Sequence, residues 1–226
     1  IKSIFQEKSG KSSTTIAVTQ RRDAATYDWE TRHNQVLQYT KQFQPSIAFI
    51  GNSITHFWGG YPLSTRTNGK QTWEKYFGAT PVVNMGFGWD RIENVLWRVY
   101  HGELDNFSPA QIVVMIGTNN LQINTNEEII EGLQTLIGAI KLKQPKASIL
   151  MMGILPRRGM EERISTLNQL INKLSDNQKI NYANAGKLLI HPNDKKIDES
   201  LFSDGLHPNE KGYDLLGAFI EKHLKK

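Results

Sequence analysis

The stretch Ile47-Ala48-Phe49-Ile50-Gly51-Asn52-Ser53-Ile54-Thr55 decides the fold. Its apolar opening, residues 47–50, is too short for a helix and reads as a strand buried on both faces. Gly51 breaks the run, and Asn52 and Ser53 stand where a helix would begin. Runs at residues 82–83, 112–116 and 149–152 repeat the pattern, with a weaker one at 180–183. Between them, residues 91–100, 126–143 and 161–177 place apolar side chains three and four apart, as do residues 210–224 at the C-terminal end. This alternation predicts an α/β fold, an open parallel sheet of about five strands covered on both faces. Ligand sites in such sheets lie beyond the carboxyl ends of the strands, which selects the loops beginning at Gly51, Asn84, Gly117 and Gly153.

Upstream of the first run the chain is polar, then amphipathic over residues 28–42, and Pro45 closes that helix. Residues 1–45 read as an N-terminal extension and residues 46–226 as the principal domain, one globular unit overall. With 226 residues, 38% of them hydrophobic, the chain has enough apolar material for one core. The net charge of +5 comes largely from the terminal KHLKK and scattered lysines. It forms no basic stripe with interleaved aromatics, so nucleic acid is not an expected partner, whereas neutral or anionic substrates fit. The absence of cysteine excludes disulfides, thiolate metal sites and a cysteine nucleophile. No apolar run approaches the roughly 20 residues of a membrane span. A chain beginning at Ile1 suggests a removed leader and an extracytoplasmic setting.

Three segments carry chemistry. Ser53 sits at a strand-to-helix turn beside unsatisfied backbone N–H groups, where it serves either as a nucleophile or as a helix cap. Gly117-Thr118-Asn119-Asn120 presents amide side chains at the same sheet edge; Asn119 there either donates to a developing oxyanion or closes a polar turn. Asp204-Gly205-Leu206-His207-Pro208 places a carboxylate three residues before a histidine, close enough to orient the ring toward a serine. Each alone has a structural explanation; the three together, at one sheet edge and in this order, point to a Ser-His-Asp arrangement. His33, His56, His101, His191 and His223 lack metal-ligand spacing. No metal is expected. His56, with Phe57 and Trp58, follows Ser53 closely enough to line a pocket, and Phe87 and Trp89 add aromatic walls suited to a sugar ring.

At these residues the chain resembles the SGNH/GDSL hydrolase superfamily, in its branch of platelet-activating factor acetylhydrolase catalytic subunits and carbohydrate O-acetylesterases. The similarity runs from about Asp28 to the end. It includes GNSIT, GTNN and DGLHP, the block Asn84 to Asp105, and GILPR from Gly153 to Arg157. The resemblance implies a flavodoxin-like three-layer α/β/α sandwich without metal or organic cofactor. It implies a serine esterase for short acyl groups, acetyl first, on a small-molecule or glycan ester. Ser53 would be the nucleophile, His207 the base and Asp204 its partner. Asn119, the Ser53 N–H and an N–H from the block around Gly86, Gly88 and Asp90 would form the oxyanion hole. Two positions depart from the family pattern. Asn52 replaces an aspartate, keeping a hydrogen-bonding side chain without its charge. Trp89 replaces a glycine, so the donor survives only if Trp89 adopts backbone angles that glycine reaches and other residues avoid. A thioesterase or lysophospholipase would use the same residues, a flavin-binding protein would share the fold, and an impaired carbohydrate-binding relative would bind sugar without turnover. The oligomeric state is left open.

Overall fold

The structure, a computed structural model, describes residues 11–224. The first ten residues of the N-terminal extension and the last two lysines of the basic end lie outside the described residues. The chain runs α1 (Trp29–Phe43), β1 (Ile47–Gly51), α2 (Ser53–His56), α3 (Lys70–Phe77), β2 (Val82–Gly86), α4 (Ile92–Tyr100), β3 (Gln111–Met115), α5 (Asn126–Lys143), β4 (Ser148–Met152), α6 (Glu161–Asn172), β5 (Ile180–Ala183) and α7 (Glu210–His223).

The five strands are parallel and ordered β2-β1-β3-β4-β5. The expected α/β architecture is therefore present. Alternate strand residues separate into two cores. Ala48, Ile50, Val83, Met85, Ile112, Val114, Ile149 and Met151 face one layer of helices. They pack against Val36 of α1, Val95 of α4, Leu133 of α5 and Leu167 of α6. Phe49, Val82, Val113, Met115, Leu150 and Met152 face the other, where Trp73 and Phe77 of α3 and Tyr213, Leu216 and Ile220 of α7 complete the layer. Full burial of each Val, Leu, Ile, Phe or Met side chain among them stabilises the fold by about 1.5–3 kcal/mol.

The differences from the sequence reading have local causes. β2 extends past the apolar pair to Gly86 because Asn84 is satisfied inside: its amide donates to Thr55 O at 2.7 Å and Gly59 O at 2.6 Å, and its oxygen accepts from Gly86 N. α6 ends at Asn172, five residues before 177, because Asp176 binds the amides of Gln178, Lys179 and Ile180 and Asn177 turns to φ 53°. Helix α3, absent from the sequence reading, buries Trp73 and Phe77 one turn apart. Asp28 caps α1 by accepting from Thr31 N at 2.7 Å, so the helix begins at Trp29.

The switch in strand order falls between β1 and β3, and the crevice beyond their carboxyl ends is the expected ligand position. Ser53 follows β1 and Asn119 follows β3. The segment before α1 packs across the sandwich: Thr14 Oγ1 donates to Glu128 O of α5 at 2.6 Å, and residues 20–27 reach the loop after β2.

Candidate active site

Ser53 is the first residue of α2, and Asn52 supplies the helix cap by accepting from Ile54 N at 2.9 Å. Its hydroxyl is thus released from capping and lies 2.8 Å from His207 Nε2. The end of β2 crosses close behind: a Cβ on Gly86 would stand 2.2 Å from the His56 backbone nitrogen, a contact that any larger residue would forbid.

The turn between β5 and α7 carries the other two groups. Asp204 Oδ1 accepts from the amides of Leu206 at 3.0 Å and His207 at 2.8 Å, while Oδ2 lies 2.7 Å from His207 Nδ1. Burial acts to raise the Asp204 carboxyl, but the hydrogen bonds from the His207 amide and ring outweigh it and hold the group below the ordinary carboxylate value. An ionised Asp204 makes Nδ1 the protonated ring nitrogen and leaves Nε2 as the acceptor facing Ser53. Gly205 allows the tight turn at φ 79°, and Arg158, paired with Glu199 at 2.6 Å, backs it from outside.

Trp89 has φ 62°, the left-handed region, at a cost of about 1–3 kcal/mol for a non-glycine residue. Contacts from several directions hold it there. Gln20 Nε2 and Tyr27 Oη donate to Gly88 O at 2.9 and 2.8 Å, Arg22 Nη2 donates to Trp89 O at 3.0 Å, and Gly88 N donates to His56 Nδ1 at 3.1 Å. Burial, aided by the charges of Arg32 and Arg98, pushes His56 down to about 2, so its ring stays neutral and remains an acceptor. Asp90, fully buried, accepts from Gln20 and Trp29 and pairs with Arg98 at 2.9 Å. Burial pushes its carboxyl up to about 6 against the pull of Arg98. Arg98 continues to Glu103 at 2.5 Å, and Glu103 to His33 at 2.7 Å.

Asn119 joins this loop to the crevice. Its Nδ2 donates to Asp90 O at 2.9 Å, which sets the orientation of the amide, since a carbonyl only accepts. The second Nδ2 hydrogen has no partner among the described residues. Among the described residues, no hydrogen bond engages the backbone N–H of Ser53 or Trp89. Ser53, Trp89, Asn119 and His207 line one pocket of 230 Å³. A groove of 520 Å³ between α3 and α7, lined by Thr72, Lys75 and Asp214, contains no nucleophile–base pair, so size does not select the site.

The family model for GDSL-like Lipase/Acylhydrolase matches residues 49–215. The chain belongs to the GDSL-like lipase/acylhydrolase family. It is 33% identical over 146 residues to platelet-activating factor acetylhydrolase IB subunit alpha2 of Homo sapiens, covering 65% of this chain and 59% of that protein. The match thus spans about three fifths of that relative's length. A GDSL-like lipase of Bacteroides thetaiotaomicron shares the fold with a TM-score of 0.70 at 20% identity, over 87% of this chain and 98% of that one. A carbohydrate acetylesterase of Sinorhizobium meliloti does so with a TM-score of 0.60 at 17% identity, over 79% and 97%. At these identities the two structures establish the fold alone.

In this GDSL-like chain the aromatic residues around the crevice divide. Phe57 and Trp89 line the pocket, Trp89 with 47% of its surface exposed. Trp58 does not: five residues past Ser53 it has turned into the core, stacked on Tyr213 at 4.9 Å, with its indole N–H donated to Thr72. Phe87 lies in the opposite core with the guanidinium groups of Arg32 and Arg98 against its ring. His56 is buried beneath the Gly88–Trp89 loop and contributes no wall. The residues the sequence reading missed are Gln20, Arg22 and Tyr27, which lie in a stretch without periodicity, and the pocket residues Asp23, Arg66 and Arg157. Arg157 was visible as the last residue of GILPR.

Proposed function

We propose that this chain is a serine esterase that removes short acyl groups, acetyl first, from a carbohydrate alcohol. The observation that carries this reading is the continuous series Asp204–His207–Ser53, at 2.7 and 2.8 Å, opening on a pocket beside uncommitted N–H donors. His207 Nε2 takes the Ser53 proton as Oγ attacks the ester carbonyl, while Asp204 keeps the ring in the Nδ1–H tautomer and stabilises the imidazolium. The Ser53 and Trp89 amides and Asn119 Nδ2 receive the negative charge that develops on the carbonyl oxygen. One such donor is worth roughly 3–4 kcal/mol in the transition state. The imidazolium protonates the departing alcohol, and water then repeats the sequence on the acyl-serine with the same proton movements.

Three features support the finer reading. A pocket of 230 Å³ suits a small acyl group better than a long chain. The exposed Trp89 indole offers a face on which a sugar ring stacks. Trp89 in the left-handed region, with its N–H unengaged, favours an active enzyme over an impaired carbohydrate-binding relative. The test is release of p-nitrophenol from acetate, butyrate and octanoate esters, with Ser53→Ala beside the parent chain. Rates falling from acetate to octanoate and lost in the variant are expected. Equal rates in parent and variant would remove Ser53 from the mechanism.

A further inference from the structure

The reaction above leaves two pocket cations unused. Arg157 is half-buried, and among the described residues its side chain makes one long hydrogen bond, Nη1 to Thr118 O at 3.4 Å. Arg66 lies with its guanidinium carbon 4.9 Å from the centre of the Phe57 ring and donates Nε to Asn68 at 3.1 Å. Both line the pocket of Ser53 and His207. Among the described residues neither pairs with a carboxylate, whereas neighbouring Arg158 is held by Glu199 and buried Arg98 by Asp90 and Glu103. Arginine guanidinium groups with uncommitted donors are suited to bidentate capture of a planar oxyanion; half-buried Arg157 offers the more sheltered contact and exposed Arg66 the one at the pocket rim. The same pocket contains the carboxylate of Asp23, an acceptor suited to hydroxyl groups, and the face of Trp89.

We infer that the alcohol half of the ester carries a carboxylate, bound by Arg157 and Arg66, so that the substrate class is an O-acylated sugar acid. The inference rests on the esterase reading and narrows its substrate. Asp23 decides between anions: it repels a dianionic phosphate more strongly than a monoanionic carboxylate, and it accepts from the ring hydroxyls that a sugar acid supplies. The stacking face, the hydroxyl acceptor and the two cations match the three parts of such a molecule.

The experiment compares kcat/KM for a methyl hexuronoside and the corresponding neutral methyl hexoside, acetylated at the same hydroxyl, in the parent chain and in the double variant Arg66→Gln/Arg157→Gln. A preference for the acid of about tenfold or more, weakening with salt and lost in the double variant, is expected. A ratio near one in the parent, or a ratio that persists in the double variant, overturns the inference while leaving the esterase reading intact. Calorimetric binding of the two unacetylated methyl glycosides to Ser53→Ala decides the matter independently of turnover. Tighter binding of the acid supports the inference even if no ester is cleaved, and equal binding overturns it. Arg157→Lys, which keeps charge but loses the fork, should retain only part of the preference.

Discussion

The Asp204–His207 turn and the Gly86–Asp90 loop face the same serine and are held in opposite ways. The turn is exposed at Asp204, with 46% of that side chain open, and the three bonds that orient its carboxylate run to groups two or three positions away, while Arg158 N donates to Gly205 O from outside. The loop is gripped from far along the chain: from Gln20, Arg22 and Tyr27 on one side, from His56 below, and through Asp90 from Arg98 and Trp29. In the proposed mechanism the difference separates two tasks. A base and its orienter need only each other and can sit on a short local frame. A strained backbone donor needs surroundings that over-determine it, because a free loop would relax out of the left-handed region.

The strongest way to break this comparison is Asp204→Asn. It should lower kcat by about 10⁴-fold by favouring the wrong histidine tautomer, leave KM near its parent value, and change stability by less than about 1 kcal/mol because the side chain is exposed. Steady-state kinetics and a urea melt check both halves; a large loss of stability would show the turn to be less self-contained than its hydrogen bonds suggest. Asp90→Ala is the counterpart in the loop. Removing one partner of a buried pair should cost about 3–5 kcal/mol, and the loosened loop should lose kcat as well. A variant as stable as the parent would show that Arg98 and Glu103 suffice without Asp90.

The buried His56 sharpens the comparison through pH. Its folded-state value is depressed to about 2 from 6.5, so the native ring stays neutral while the unfolded chain takes up a proton below pH 6.5. Its contribution to stability is fully present above that pH and is lost as pH falls, by about 1.4 kcal/mol per unit at full slope. Asp90 acts oppositely, since a folded value raised to about 6 favours the protonated native form as pH falls from 6 toward 3.8. Comparison with His56→Gln, which keeps an acceptor for Gly88 N, isolates the histidine: the parent's advantage should shrink by roughly 1 kcal/mol per unit between pH 6 and 5. A constant difference would mean that His56 takes a proton in the folded state. The smallest effect is expected from Tyr27→Phe, which removes one of two donors to Gly88 O. A hydrogen bond of about 1 kcal/mol predicts a kcat several-fold lower with KM retained, and Gln20→Leu added to it should deepen the loss.

What was legible in the sequence follows from the distance between interacting partners. The strands were readable as apolar runs, and α5 was readable to both ends because apolar periodicity spans its length; in the structure Thr125 and Glu128 cap it reciprocally. The Asp204–His207 pair was readable because a carboxylate and an imidazole three residues apart are their own evidence. Trp58 was misread as a pocket wall because adjacency to Ser53 says nothing about which way a short helix turns its next residue. Gln20, Arg22 and Tyr27 gave no signal, since a side chain that donates to a distant carbonyl has no complementary side chain to betray it.

The five strand runs, the two-sided burial of the sheet, and the segments that carry Ser53, Asn119, Asp204 and His207 were legible in the sequence alone, through local pattern and side-chain chemistry. The tertiary structure decided how Ser53, Asn119 and His207 meet beyond β1 and β3, that Trp89 occupies a conformation expected of glycine, and that the N-terminal segment holds it there. Those outcomes depend on groups brought together from distant parts of the chain, and the Gly88 and Trp89 carbonyls gripped by the N-terminal side chains are of a kind that every residue carries.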